Sequence, residues 1–347
     1  MTKRYIFECF VDTVANLSVY QKATDSHLFD CRKLTGTPLC LVTVSFDNPF
    51  LIEQHIRLVK KNITDKQYVQ IIADNSTNPA NRDKIKQLCI KENIVYVGLP
   101  YNFFQKTMYK PSYAHGLCLT WIYYNIIRKI APRIFGFLDH DIFPISEYNI
   151  ADRLGNQDFF GRLVDRTPSD SLRRLWYLWA GFCFFSYHRV KSKKMNFFPT
   201  KIDGVYLDTG GSLYKSLYKY YNLSDLSLDV PVREVSFREG NNYHADRIHF
   251  IDNDWVHTIN GSNWAKVESK DGVTKVSFDT PMSYVDGNGK ATTEPSNTVS
   301  LVGKDKGKPV QVKNVAKGIA DTDAVNVSQL KGAAKALGGG SQINADG

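Results

Sequence analysis

Two aspartates separated by a single residue follow a short apolar stretch of the chain. Asp139 and Asp141 come directly after residues 134–138, which carry no charge and predict a strand buried on both faces. Because side chains two residues apart in an extended chain lie on the same side, both carboxylates can converge on one point. They repel each other there unless a cation lies between them, and oxygen ligands suit Mg²⁺ or Mn²⁺. The pair predicts a divalent metal site, although an isolated Asp-x-Asp more often only solvates a loop.

Alternating strands and helices precede this pair. The sequence predicts strands at 39–46, 68–73, 94–99 and from 134, and helices at 49–63, 79–93 and 112–130. The first two helices begin with Asn-Pro, an N-cap residue followed by proline at the first helical position. This alternation predicts a parallel, doubly wound α/β sheet that binds its ligand at the carboxyl ends of the strands. Neither G-x-G-x-x-G nor a P-loop sequence occurs, so neither a dinucleotide fold nor an NTPase is indicated.

The arrangement resembles a GT-A (Rossmann-like) glycosyltransferase. A βαβ half that ends in Asp-x-Asp after its fourth strand is typical of that fold, and two further segments agree with it. Residues 112–116, Ser-Tyr-Ala-His-Gly, open the helix before the pair, where such enzymes often place groups that touch the donor. Residues 255–264 resemble the His…Gly…Trp ending of several such families. The resemblance covers about residues 39–264, and His140 in the middle of the pair leaves the exact family open.

The resemblance also implies the residues of the site. Asp139, Asp141 and His257 would hold Mn²⁺ or Mg²⁺, and the loop after the histidine would close over the diphosphate of a nucleotide-sugar, with a UDP-sugar as the expected donor. Asp74, the acid after the second strand, would read the base or the ribose. Besides the metal ligands, donor contacts are expected at Ser45, Asp74, His115, Gly261 and Trp264.

Two segments in the middle of the chain concern the acceptor. The aromatic run 175–185 is more typical of a core strand than of a sugar platform, yet its residues Trp179–Phe182 match the small-residue segment beside the acceptor in GT-A folds. Asp208 lies at a turn before a helix predicted at 212–221. It is either the N-cap of that helix or an acceptor-side carboxylate that acts as the catalytic base, and the residues favour neither interpretation.

Composition and charge restrict the class of protein. The chain has 347 residues and a formal net charge of +9 that is not gathered in a basic tail, so no nucleic-acid partner is expected. Six cysteines without C-x-x-C spacing, several of them in apolar runs, predict reduced thiols in a cytoplasmic enzyme. The N-terminal apolar run is interrupted by Glu8 and Asp12, so no signal peptide is predicted, and no stretch predicts a membrane span.

The composition changes near Trp264. All eight histidines, five tryptophans and six cysteines lie at or before it. Beyond it, residues 273–278 alternate like a strand and residues 284–290 have the chemistry of a hairpin turn. Residues 310–331 closely resemble the neck of trimeric autotransporter adhesins, in which three chains wrap together and narrow into a coiled-coil stalk. The resemblance implies a possible homotrimer and, for this segment, a native place on the bacterial cell surface.

The two resemblances predict two domains, a glycosyltransferase at 1–265 and an adhesin passenger and neck fragment at 266–347. Because such an enzyme works in the cytoplasm and an adhesin works outside the cell, an artificial fusion is the simplest explanation. We expect a metal-dependent enzyme that transfers sugar to Ser or Thr of the adhesin polypeptide. One alternative is a glycan or lipid-linked acceptor with the adhesin segment as a trimerising tag. The other is a non-catalytic, sugar-binding adhesin, against which the cysteines and the missing anchor count.

Overall fold

The computed structural model describes residues 3–169, 171, 173–236 and 247–258, and shorter stretches nearer the C-terminus: 265–270, 273–278, 282–285, 291–292, 299–301, 312, 317, 319 and 324–337. The chain divides into two compact units, Met1–Phe278 and Asp279–Gly347. The boundary expected at residue 265 stays a prediction.

Seven strands form the central sheet of the first unit. In sheet order they are β1 (Asp25–His27), β4 (Val95–Gly98), β3 (Tyr68–Asp74), β2 (Leu39–Ser45), β5 (Ile134–Asp139), β8 (Trp176–Ser186) and β7 (Phe159–Asp165). The four central strands β4, β3, β2 and β5 are parallel, whereas β1, β8 and β7 are antiparallel to their neighbours. The α/β prediction and the four predicted strands are confirmed. The sheet is nevertheless mixed rather than wholly parallel, because β7 and β8 follow one another as a hairpin, which needs no helical crossover.

Helices cover this sheet and connect its parallel strands. They are α1 (Lys3–Ser18), α2 (Cys31–Leu34), α3 (Pro49–Asn62), α4 (Pro79–Lys91), α5 (Phe103–Lys106), α6 (Pro111–Ile122), α7 (Arg128–Ile130), α8 (Ile150–Leu154), α9 (Tyr187–Val190) and α10 (Leu213–Ser216). The predicted caps of α3 and α4 are present: the Asn48 side chain accepts from the Leu51 amide, and the Asn78 side chain accepts from the Ala80 and Asn81 amides.

Two predicted helices are less regular than expected. The helix predicted at 112–130 consists of α6, a π-helical segment (Tyr123–Ile127) and α7. The helix predicted at 212–221 is only α10 and a 3-10 turn (Tyr218–Tyr220), because Leu217 between them has φ −133 and ψ −69 and leaves the helical conformation.

A second, smaller sheet contains four antiparallel strands. Its order is β11 (Val232–Ser236), β12 (Arg247–Ile251), β13 (Trp255–His257) and β6 (Ile142–Pro144). One row of directly paired residues crosses this sheet: Glu234 faces His249, His249 faces His257, and His257 faces Ile142. Since β6 follows β5 after two residues, the Asp-x-Asp turn connects the central sheet to this one. The smaller hairpins of the first unit are β9 (Thr200–Ile202) with β10 (Val205–Leu207), and β14 (Ala265–Lys270) with β15 (Val273–Phe278).

The core beneath the site is rich in aromatic residues. Trp176, Phe182, Phe184 and Phe185 of β8 are buried, as the aromatic run predicted. Trp179 on the same strand is only half-buried. Of the cysteines whose side chains the structure describes, all are free thiols, and all but the partly exposed Cys31 are buried: Cys40, Cys89, Cys118 and Cys183. In the described part of the chain, no helix combines the length and the apolar character needed to cross a membrane.

The described parts of the second unit contain a three-stranded sheet and one helix. The strands, in sheet order, are β17 (Ala291–Thr292), β16 (Met282–Val285) and β18 (Val299–Leu301), and the helix is α11 (Val327–Leu337). β16 and β17 pair antiparallel, while the hairpin turn predicted between them lies outside the described residues. Val325, Val327 and Leu330 are exposed in this single chain.

Candidate metal and donor site

Three potential metal ligands converge where β5 ends. They are Asp139, Asp141 and His257, and each offers one ligand atom that lies within 4.8 Å of the other two. Asp139 is the last residue of β5, Asp141 directly precedes β6, and His257 is the last residue of β13. The structure thus brings together the three residues that the sequence predicted as metal ligands, and their role in metal binding stays a prediction.

Backbone contacts hold the three ligands in place. β6 pairs with β13 so that Ile142 faces His257. The Thr258 amide donates to the Asp141 carbonyl at 3.0 Å, which ties the chain after His257 to the second aspartate. From beneath, His55 Nδ1 donates to the Ile142 carbonyl at 2.8 Å, and its Nε2 accepts from the Thr43 hydroxyl at 2.8 Å. Because the carbonyl can only accept, the Nδ1 of His55 carries a hydrogen, and burial, which lowers the pKa of His55 to about 4, keeps the ring neutral so that Nε2 accepts.

The cluster gathers two carboxyl groups and an imidazole within a small volume. Burial raises the pKa of the Asp139 carboxyl; the His115 and His257 imidazoles oppose this rise, while the Asp141 carboxylate adds to it. His257 Nε2 is 3.5 Å from Asp141 Oδ1, too far for a good hydrogen bond, and its buried Nδ1 has no hydrogen-bond partner. Two carboxylates and an under-satisfied imidazole therefore fit a divalent cation, which would supply the missing positive charge and engage the imidazole.

A glycine and a tryptophan form the wall beside Asp139. A Cβ at Gly181 would overlap the Asp139 carboxylate and the Trp179 ring, so only glycine leaves room for both. The Trp179 ring lies 4.6 Å from the His257 ring, measured between centroids. This segment, predicted to flank the acceptor, is thus in contact with two of the three candidate ligands.

Arg162 and His249 lie beside Trp179 and His257, and the sequence interpretation identified neither of them as a site residue. The Arg162 guanidinium carbon lies 5.2 Å from the centre of the Trp179 ring, and its Nη1 is 3.2 Å from His249 Nδ1. The only local signal was Gly161, since a glycine inside a strand often marks a β-bulge. The sequence around His249 contains no such signal, because its partners lie on strands that are distant in the sequence.

His115 lies on α6, and its imidazole approaches the Asp139 carboxylate. Its Nε2 is 3.5 Å from Asp139 Oδ1, and both side chains are partly exposed. His140 faces away from the cluster, and its Nδ1 accepts from the Phe46 amide at 3.2 Å. The structure thus brings His115 to the site as predicted, whereas its donor contact stays a prediction.

Ser45 and Asp74 lie at the same edge of the sheet but in a closed network. Asp74 is fully buried, and its Oδ1 accepts from the Ser45 hydroxyl and the Ser76 amide, both at 2.9 Å. Its Oδ2 accepts from the Tyr96 hydroxyl at 3.0 Å and lies 3.7 Å from Arg82 Nε. Both carboxylate oxygens are therefore already engaged in holding the loop after β3, and contact of Ser45 or Asp74 with a donor stays a prediction.

Asp208 lies in a turn that packs on β8 and on the start of α6. Its Oδ1 accepts from the Tyr206 hydroxyl at 3.3 Å, and the Thr209 hydroxyl donates to the Ser112 carbonyl at 3.0 Å. The Asp208 side chain makes no capping hydrogen bond to α10, whose N-cap is Ser212. The structure places the carboxylate near the helix that carries His115, and its role as base stays a prediction. Gly261 and Trp264 lie outside the described residues.

Several solved structures resemble part of this chain. The bifunctional glycosyltransferase WbbM is 13% identical, with 49% of this chain and 34% of that chain covered and a TM-score of 0.31. The mannosyltransferase PcManGT from Pyrobaculum calidifontis, in complex with GDP-Man and Mn²⁺, is 11% identical, with 53% of each chain covered and a TM-score of 0.31. The mannosyltransferase Ktr4p from S. cerevisiae is 8% identical, with 53% of this chain and 66% of that chain covered and a TM-score of 0.31.

The chain thus spans between about a third and two thirds of the length of these solved proteins. No match to it was found among curated proteins. Residues 311–347 match the family model described as the coiled stalk of trimeric autotransporter adhesin, which confirms the resemblance predicted for this end of the chain.

Proposed function

We propose that the first unit is a metal-dependent glycosyltransferase that uses a nucleotide-diphosphate sugar as donor. The observation that carries the proposal is the convergence of Asp139, Asp141 and His257 at the carboxyl end of a parallel strand. Open α/β sheets bind their ligands at this edge. Two carboxylates and an imidazole suit Mn²⁺ better than Mg²⁺, which prefers oxygen ligands alone. A cation bound there would neutralise the diphosphate leaving group.

The surrounding residues define how a donor would approach. The Asp139 side chain is 23% exposed and that of Asp141 is 9% exposed, so a diphosphate would enter from the side of Asp139. His115 would orient the Asp139 carboxylate from α6. Trp179 and Gly181 would exclude water from the opposite side, and Gly181 leaves the carboxylate uncovered.

We further propose Asp208 as the group that takes the proton from the acceptor hydroxyl, which would make the transfer an inverting one. Its turn packs against the strand that carries Trp179 and Gly181 and against the start of α6. The Tyr206 hydroxyl would orient the carboxylate through the hydrogen bond to Oδ1.

For the acceptor we propose Ser or Thr hydroxyls of the adhesin polypeptide. The support is the presence of a stalk segment in the same chain. A short flexible tether holds an acceptor at about millimolar local concentration, which would compensate for weak binding. The candidate hydroxyls precede the neck: Ser269, Thr274, Ser277, Thr280, Ser283, Thr292, Thr293, Ser296, Thr298 and Ser300.

One experiment tests donor, metal and acceptor together. The chain is incubated with Mn²⁺ and a panel of UDP- and GDP-sugars, and the release of nucleoside diphosphate and the intact mass are measured. Asp139→Asn combined with Asp141→Asn should lower the release at least about 100-fold, because two of three ligands lose their charge. Asp203→Asn, a carboxylate that is 71% exposed in the β9–β10 turn, is the matched control and should keep full activity.

The result also decides between the acceptors. Peptide mapping should find sugar within residues 265–300. Sugar found only on an added glycan or lipid-linked acceptor would favour the tag interpretation instead. Unchanged release in the folded double variant would contradict the metal-dependent mechanism.

A further inference from the structure

Arg162 is a partly buried cation on β7, in the antiparallel β7–β8 hairpin of the central sheet. It lies at an irregularity in β7, where the pairing with β8 shifts between Gly161 and Leu163. Gly161 has φ +153, and a Cβ there would overlap the Phe182 carbonyl, so the bulge requires glycine. Bulges of this kind re-aim a side chain. Among the described residues no carboxylate forms an ion pair with Arg162, and burial lowers its pKa.

Glu234, which faces His249 across the four-stranded sheet, is engaged by that histidine. Arg162 donates from Nη1 to His249 Nδ1, so the hydrogen on the ring must be at Nε2, which lies 3.1 Å from Glu234 Oε2. Glu234 therefore accepts from the imidazole, and the imidazole holds Arg162 at a fixed position. This contact uses one of the five N–H donors of the guanidinium.

The guanidinium and the candidate metal ligand His257 both contact Trp179. The guanidinium carbon lies 5.2 Å from the centre of the Trp179 ring, and the centroids of the Trp179 and His257 rings are 4.6 Å apart. His249 and His257 are adjacent in the same cross-strand row, with ring centroids 5.7 Å apart. Arg162 and the candidate ligand His257 are thus connected through two shared neighbours, Trp179 and His249.

We propose that Arg162 binds the terminal phosphate of the nucleoside diphosphate, as a second anion-binding group beside the metal. A guanidinium positioned by an aromatic ring and one hydrogen bond presents its remaining N–H groups as a fork that fits a phosphate. The diphosphate is the expected partner because Trp179, which Arg162 contacts, also contacts the candidate metal ligand His257. This inference rests on the proposed function and assigns Arg162 to the leaving group.

The test compares diphosphates with monophosphates. Binding of UDP, UMP, GDP and GMP to the whole chain with saturating Mn²⁺ is measured by calorimetry, for the wild type, Arg162→Gln and Arg162→Lys. In the Gln variant, the affinity for whichever nucleoside diphosphate the wild type binds more tightly should fall at least about tenfold. The affinity for the monophosphate of the same nucleoside should fall less than about twofold, since only the diphosphate reaches the guanidinium. The Lys variant should fall between, because it keeps the charge but not the fork. Arg174→Gln, an exposed arginine paired with Asp165 after β7, is the control and should bind like the wild type.

The outcomes separate this inference from the function on which it rests. Mn²⁺ binding without nucleotide, followed by electron paramagnetic resonance, should be the same in the wild type and Arg162→Gln. Diphosphate affinity unchanged in Arg162→Gln, or equal losses for diphosphate and monophosphate, would overturn the role of Arg162 and leave the proposed function standing. A wild-type chain that binds no nucleoside diphosphate in the presence of Mn²⁺ would overturn both.

Discussion

Mild acid should destabilise the first unit through His55. This histidine is fully buried, and burial lowers its pKa from 6.5 to about 4. As the pH falls below 6.5, the unfolded chain binds a proton that the folded chain does not, so the contribution of His55 to stability is complete above pH 6.5 and decreases towards pH 4. The two pKa values give a loss of about 2 kcal/mol in the free energy of unfolding between about pH 7.5 and about pH 5.

The substitution His55→Gln should remove this pH dependence. Glutamine cannot reach both Thr43 and the Ile142 carbonyl, so it leaves one buried group unsatisfied and lowers stability by about 1–3 kcal/mol at neutral pH. Between about pH 7.5 and about pH 5, however, the variant should lose about 2 kcal/mol less than the wild type. The neighbouring titratable groups His140 and Asp141 are present in both proteins, so their contributions largely cancel in the comparison.

Urea unfolding followed by tryptophan fluorescence measures the effect, since all five tryptophans precede residue 265. His188→Gln, at an exposed position, is the matched control and should follow the wild type across the pH range. Parallel stability curves for the wild type and His55→Gln would refute the assignment of a buried, neutral His55.

Two further predictions concern the site and the assembly. Gly181→Ala should weaken Mn²⁺ binding about 10- to 100-fold and cost about 1–3 kcal/mol of stability, because the new Cβ displaces Asp139 or Trp179; wild-type Mn²⁺ affinity by calorimetry would contradict the tight contact. Deletion of residues 310–347 should convert a trimer to a smaller species in sedimentation equilibrium, because Val325, Val327 and Leu330 are exposed in one chain; an unchanged mass would refute assembly through the stalk.

The parallel part of the fold could be predicted because its signals are local. The apolar run 39–45, the Asn48 cap and the run before Asp139 each indicate their element without knowledge of the rest of the chain. The direction of β8 could not be predicted, since an aromatic run is equally compatible with a parallel and an antiparallel neighbour. The antiparallel direction of β8 depends on its tertiary pairing with β5 and β7.

The convergence of Asp139, Asp141 and His257 was predictable from spacing and resemblance, whereas the contacts of the surrounding residues were not. An aspartate at the end of a strand, such as Asp74, looks like a ligand contact in the sequence. Its engagement by Tyr96 and Arg82 depends on how β3, β4 and α4 pack. Likewise, the position of Arg162 depends on a bulge and on His249, a residue 87 positions away along the chain.

The turn from Asp139 to Asp141 passes from one sheet to the other, with His257 contributed by the second. A cation shared by the three side chains would therefore act as a cross-link between the sheets as well as a Lewis acid. At a free concentration about 100 times its dissociation constant, such an ion would stabilise the folded chain by about 2.7 kcal/mol. Because Asp139 and Asp141 lie at the end of the central sheet and His257 on the four-stranded sheet, donor binding at these residues would also stabilise the contact between the two sheets.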